Sequence, residues 1–247
     1  TNLAWRIGVT TTDANGALRG GNFTTNPGTF VSRVQVGTSG SGYERGLHNA
    51  RRGLERALPR GNGAAQLRAD APTVTVILSD EEDQDAKDAG CYQNRGCAQN
   101  FTQPWVNFFN GQGGQFQAPP GFDSPGSVFT IINTPEFGCG SAQIAHAYDL
   151  TAIGTGGRSE SICGRNGQLD YSGLMQDIAQ AAAGIASNYR LNDARPIAST
   201  FKVGIRRGNG PITVLNRSRT LGFDFDDTQN ALILYGELGL QNGDEMW

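Results

Sequence analysis

The run Thr73–Asp85, TVTVILSDEEDQD, constrains this chain more than any other stretch. Val74, Thr75, Val76, Ile77 and Leu78 form an unbroken β-prone series. Such a series reads as a strand buried on both faces, the kind found in parallel sheets covered by helices. The strand ends abruptly in acid, at Asp80, Glu81, Glu82, Asp83 and Asp85. In open α/β sheets, ligands sit outside the carboxyl ends of the strands. Carboxylates placed there supply the oxygen donors that a hard divalent cation takes. A solvated acidic loop is the plainer reading of the same residues.

The segment upstream sharpens the choice. In Val36–Leu58, VGTSGSGYERGLHNARRGLERAL, a loop rich in hydroxyl side chains leads into an amphipathic helix. Leu47, Leu54 and Leu58, with Ala50 and Ala57, share one face, and most of the charged residues and His48 fall outside it. Earlier still, Trp5–Thr12, WRIGVTTT, reads as a strand continued into Asp13. The order is strand, hydroxyl loop, helix, strand, acid.

In that order, RIGVTTTD, VGTSGSGYERGLHNARRGL and VILSDEED resemble a von Willebrand factor A (vWA) domain of the secreted or surface-anchored bacterial kind. The likeness continues through GSVFTIINTP, GCGS, AYDLTAIGTGG and SIC, over roughly residues 4–187. It rests on the order and spacing of these pieces rather than on any one motif. The resemblance implies an α/β fold, a Rossmann-like, doubly wound and mostly parallel sheet. It also implies a metal-ion-dependent adhesion site at the carboxyl edge, built from a DxSxS motif, a loop Thr and a strand-end Asp. Thr38 matches the loop Thr, with Ser41 as the alternative register, and Asp80 matches the strand-end Asp. The implied cofactor is Mg2+ or Ca2+. No Asp-x-Ser-x-Ser occurs in the chain, and the strand and helix that would carry it precede Thr1 in the family pattern. The expectation is therefore a partial or processed sequence, or a first strand supplied by another chain. Val74–Leu78 should find one of its two neighbours outside residues 1–247.

The four cysteines, Cys91, Cys97, Cys139 and Cys163, are even in number and form no CxxC. Disulfides suit that pattern better than zinc, since His48 and His146 are the only histidines and the spacing matches no zinc motif. Cys91–Cys97 is the local pairing. The resemblance suggests Cys139–Cys163, because its GC and SIC segments lie close together. Disulfides point to an oxidising compartment, hence to secretion or the cell surface.

The rest of the chain adds organisation. A short helix is expected near Thr29–Val34. Residues 81–126 read as a long irregular connection, with Trp105, Val106, Phe108 and Phe109 as one helical turn anchoring it to the core. Val128–Asn133 reads as a strand, Ala142–Ile153 as a helix closed by Gly156, Ser161–Cys163 as a short strand, and 170–187 as an Ala-rich helix. From Asn188 the period changes to two, which marks 188–247 as a small antiparallel β appendage to the 1–187 domain. There Asp224, Asp226 and Asp227 suit turn chemistry better than a calcium loop. No run approaches the ~18–20 apolar residues of a membrane span. A net charge of −3 gives no general attraction to nucleic acid. No GxSxG, HExxH or phosphate loop is present, so the expectation is not an enzyme. It is a binding or adhesion module that engages a protein ligand, or else a structural subunit meeting its neighbours in a homo-oligomeric filament.

Overall fold

Three parallel strands and five helices carry the larger of two units in the computed structural model, which describes residues 5–13, 16–37, 40–57, 67, 73–111, 115–116, 126–137, 139–140, 143–164, 168–182, 189–190, 200–207, 210–218, 222–226, 231–235 and 245–246. The contacts divide the chain into Thr1–Met175 and Gln176–Trp247.

In the first unit the order is α1 (Pro27–Val34), α2 (Gly46–Arg56), β1 (Thr73–Leu78), α3 (Gln84–Asp88), α4 (Arg95–Phe109), β2 (Gly126–Ile132), α5 (His146–Gly154) and β3 (Ser159–Ser161). The sheet order is β1-β2-β3, with Thr73 opposite Gly126 and Ile132 opposite Ser161. Alternation decides the core. Ile77, Val128 and Ile132 point to one face and pack with Leu47 of α2, Trp105 and Phe108 of α4, and Tyr148 of α5. On the other face Val76 is 47% exposed and Leu78 61%. The expected two-sided burial of β1 is therefore corrected. Helices cover one face along β1, and the run is apolar where solvent still reaches it.

Two further expectations change. Trp5–Thr12 forms a single antiparallel bridge, Ile7 to Thr24, in place of a strand. Residues 81–126 hold two helices where an irregular connection was expected. Pro104 and the many amides disguise α4, yet Ala98, Phe101, Trp105, Phe108 and Phe109 follow a helical stripe into the core. Those aromatics do anchor the core, as expected. Gly156 follows α5 in the left-handed region, at φ +74°, as the closing role requires. β3 lies two residues earlier than the pattern placed it.

The second unit begins within α6 (Ser172–Ala182). It then forms β4 (Tyr189–Arg190), β5 (Val203–Arg206), β6 (Ile212–Leu215), β7 (Gly222–Asp226), β8 (Ala231–Tyr235) and β9 (Glu245–Met246). These make two antiparallel sheets, ordered β4-β8-β7 and β6-β5-β9. Val203, Ile205, Leu215, Phe223, Phe225, Leu232 and Leu234 form its core. Asp224 lies inside β7 and accepts hydrogen bonds from Arg217 at 2.9 and 3.0 Å, so its role is an ion pair within the sheet and not turn chemistry. The Asp226 side chain and Asp227 lie outside the described residues.

Candidate functional site

The carboxyl edge of the parallel sheet gathers the segments that follow β1, β2 and β3. After β1, Ser79 extends the ladder by donating its amide to the Ile131 carbonyl at 3.1 Å. Its hydroxyl donates to Glu44 Oε2 at 2.8 Å. The acidic run then divides. Asp80 is exposed, and Glu81 pairs with Lys87 at 3.3 Å. Glu82 and Asp83 are both fully buried.

Those two carboxylates cap helices. Neither α2 nor α5 has a side-chain cap of its own, since Arg45 and Ala145 stand at their N-cap positions. Glu82 accepts the Ala147 amide at 3.1 Å, at the start of α5, and the Asp83 amide at 3.0 Å. Asp83 accepts the Leu47 amide of α2 at 3.1 Å and the Asp85 amide of α3 at 3.0 Å. Helix N-termini leave amides unpaired and carry partial positive charge, which carboxylates satisfy. The Tyr148 hydroxyl accepts the Gly46 amide at 2.9 Å and also bonds Asp83. A Cβ on Gly46 would stand 2.6 Å from that hydroxyl oxygen, so glycine lets the ring approach. Burial outweighs these hydrogen bonds and pushes Glu82 up to about 7 and Asp83 up to about 6. Burial also drives the Tyr148 hydroxyl well above its usual range.

Of the expected metal ligands, Thr38 lies outside the described residues. Ser41 accepts the Tyr43 amide on its hydroxyl and donates its own amide to Asp13 Oδ2, each at 3.0 Å. Among the described residues no hydrogen bond or ion pair engages Asp80, and no group of three or more His, Cys, Asp or Glu is placed to hold a metal. The neighbouring carboxylates are committed: Glu81 to Lys87, Glu82 and Asp83 to amides, Asp85 to Arg45 at 2.6 Å. One carboxylate and one hydroxyl fall well short of the ~6–8 oxygens calcium takes. A cation here would draw most of its shell from outside the described residues.

Two disulfides brace the unit. Cys91 joins Cys97 with Cα atoms 5.1 Å apart, beside the start of α4, where Asn94 accepts the Cys97 amide at 3.0 Å. Cys139 joins Cys163 with Cα atoms 5.7 Å apart and ties the segment after β2 to the one after β3. Buried Asn133 holds the first of these, accepting the Cys139 amide at 2.7 Å. His146 is buried at the start of α5 with Nδ1 unpartnered, and burial lowers its pKa, so it packs as a neutral ring. His48, expected on a solvated face, stands within 4.0 Å of Asp85, and burial lowers its pKa too.

The capping roles of Glu82 and Asp83 were the feature the sequence reading missed. Their signal was the lack of Ser, Thr, Asp or Asn just before α2 and α5. The other edge of β1 also stands out. Among the described residues β1 pairs with β2 alone. Thr12 meets the start of α2, its carbonyl accepting the Arg45 amide at 3.0 Å, and residues 5–12 form no ladder with β1. No protein-family model, no curated protein and no solved structure matches the chain.

Proposed function

We propose that this chain is an extracellular or surface-displayed binding module of the Rossmann-like vWA type, which takes up an extended segment of a protein partner by strand addition at β1. The observation that carries the reading is the edge of β1 that pairs with no strand among the described residues, beside exposed Val76 and Leu78. An apolar strand with one edge unpaired is a template for another strand, which gains affinity from backbone hydrogen bonds and specificity from alternate side chains. Two disulfides fit an oxidising compartment. Among the described residues no helix is long and apolar enough to cross a membrane. The reading assigns the chain no catalytic step.

The amides supply the test. Ser79 donates to β2, so the residues of its parity, Thr75 and Ile77, face β2 as well, and the amides of Val74, Val76 and Leu78 face the open edge. A synthetic peptide alternating valine and threonine is the probe. Hydrogen exchange at Val74, Val76 and Leu78 should slow by roughly tenfold or more when it is added, with Thr75 and Ile77 already slow. Val76→Pro should keep the β2 ladder, because the lost donor faces outward, and should abolish the protection. Unchanged exchange at the three outward amides overturns strand addition.

The structural-subunit reading makes the same edge a contact between copies. Sedimentation at rising concentration separates it, since oligomers that Val76→Pro removes would favour the filament. Protection lost in EDTA and restored by Mg2+ or Ca2+ would instead favour a cation-held ligand at Ser41 and Asp80.

A further inference from the structure

The two disulfides stand in different surroundings. Cys91 is 2% exposed and belongs to the core that α4 helps to form, and Cys97 is half-buried in the first turn of that helix. Cys139 is half-buried too, but its partner Cys163 is exposed, alone among the four cysteines. Thiol–disulfide exchange is an attack by a thiolate on one sulfur while the other leaves, so its rate depends on access to a sulfur. Exposed disulfides are accordingly the labile ones, and buried ones resist reduction.

The backbone also holds the Cys139–Cys163 pair in place without help from the covalent bond. Ile162 donates its amide to the Ile132 carbonyl at 2.8 Å and continues the β2–β3 ladder up to Cys163. Ser161, only 1% exposed, donates its hydroxyl to the Phe137 carbonyl at 2.8 Å and accepts the Cys163 amide on the same oxygen at 3.2 Å. That hydroxyl clasps the segment after β2 to the segment after β3, beside the disulfide. The Tyr171 hydroxyl leans on the same turn, 3.2 Å from the Ser161 carbonyl and 3.3 Å from that of Ile162. With Cα atoms 5.7 Å apart and held from both sides, the two sulfurs stay within bonding reach after reduction.

We propose that Cys163 is a thiol-exchange site, at which a low-molecular-mass thiol opens the Cys139–Cys163 bond reversibly while Cys91–Cys97 stays closed. The thiolate attacks Cys163 Sγ. A new sulfur–sulfur bond forms as the old one breaks, and Cys139 leaves with the electron pair as a thiolate. Cys139 then either attacks Cys163 Sγ again and expels the thiol, or a second thiolate attacks the thiol's own sulfur in the mixed disulfide and releases Cys163. In the second course two thiols are oxidised to their disulfide, and the protein gains two electrons and, at neutral pH, the protons of two cysteine thiols. Opening removes the covalent tie at the carboxyl edge of the parallel sheet and leaves the Ser161 clasp to hold it. The proposal does not rest on strand addition at β1.

Reduced glutathione is the probe, added to the full chain under native conditions. Samples are quenched with iodoacetamide, and the labelled cysteines are located by peptide mass mapping. Label should reach Cys139 and Cys163 at least about tenfold faster than Cys91 and Cys97, as access to the sulfur dictates. Exchange into oxidised glutathione should then re-form Cys139–Cys163. Two single variants give the direction of attack. Cys163 in Cys139→Ser should take up glutathione from its oxidised form about tenfold faster than Cys139 does in Cys163→Ser. Label that arrives first at Cys91 and Cys97, or at all four cysteines together, overturns the proposal, since opening would then follow unfolding and not access to Cys163. Absence of label at every cysteine overturns it as well, as does failure of the bond to re-form. Equal uptake by the two variants, both with wild-type circular dichroism, overturns the assignment to Cys163. The order of labelling in the wild type decides alone if either variant fails to fold.

Discussion

Glu82 and Asp83 are fully buried, and no described basic side chain forms an ion pair with either. Helix-end amides meet their charge, yet burial still raises both, Glu82 from 4.5 to about 7 and Asp83 from 3.8 to about 6. An acid whose folded pKa exceeds its unfolded one binds protons more tightly in the native state. Stability from this source is therefore full below the unfolded pKa and declines as pH rises, over pH 4.5–7 for Glu82 and 3.8–6 for Asp83. The Glu82 share is on the order of 3 kcal/mol across that window. His48 and His146 act in the opposite direction. Their folded pKa values are lowered, so they add stability as pH rises toward 6.5. Comparison with Glu82→Gln isolates the glutamate. Between pH 5 and 7.5 the wild type should lose more urea resistance than the variant does. Equal slopes for the two proteins would show that Glu82 is ionised throughout. Asp83→Asn turns an amide donor toward the Leu47 or Asp85 amide and should cost about 1–3 kcal/mol near neutral pH.

Among the elements, β2 and the loop after α5 meet at a contact that leaves no room for adjustment. A Cβ on Gly157 would stand 1.9 Å from the Val128 carbonyl oxygen, a backbone atom of the central strand. Gly157→Ala should therefore cost about 3 kcal/mol or more, read as a fall in the unfolding midpoint; a near-neutral outcome would mean that the α5–β3 connection moves freely. This glycine pair, Gly156 and Gly157, was partly visible in TGG, where Gly156 was read as a helix stop. Elements with strong local signals were readable in this way: α2 from its leucine stripe, β2 from VFTII, and the period-two strands β5, β6 and β8. α4 was not, because Pro104 and a run of amides outweigh its stripe in any local reading. The exposure of Val76 and Leu78 was not readable either. An apolar strand has the same sequence whether or not a neighbour covers it. The cap roles of Glu82 and Asp83 depend on helices whose first turns lie at Gly46 and His146, far away along the chain, and a residue-by-residue reading sees only a cluster of acid.

At the scale of the molecule, all four cysteines lie in the first unit, and the second has its own apolar core without any. Reduction should therefore act on one unit alone. Removing a native disulfide typically costs about 2–5 kcal/mol, and reduction breaks both, which for a domain near this size lowers its midpoint by roughly 10 °C or more. Calorimetry with and without a phosphine reductant should show one transition falling by that amount and the other staying in place. Two transitions falling together would mean that the units unfold as one.

The one-sided pairing of β1 also has a consequence for refolding. β1 is uncharged and, among the described residues, paired on one side only. An edge of that kind bonds whichever extended backbone reaches it first, so crowded, half-folded chains compete for it. Refolding yield should therefore fall as protein concentration rises, and Val76→Pro should flatten that fall.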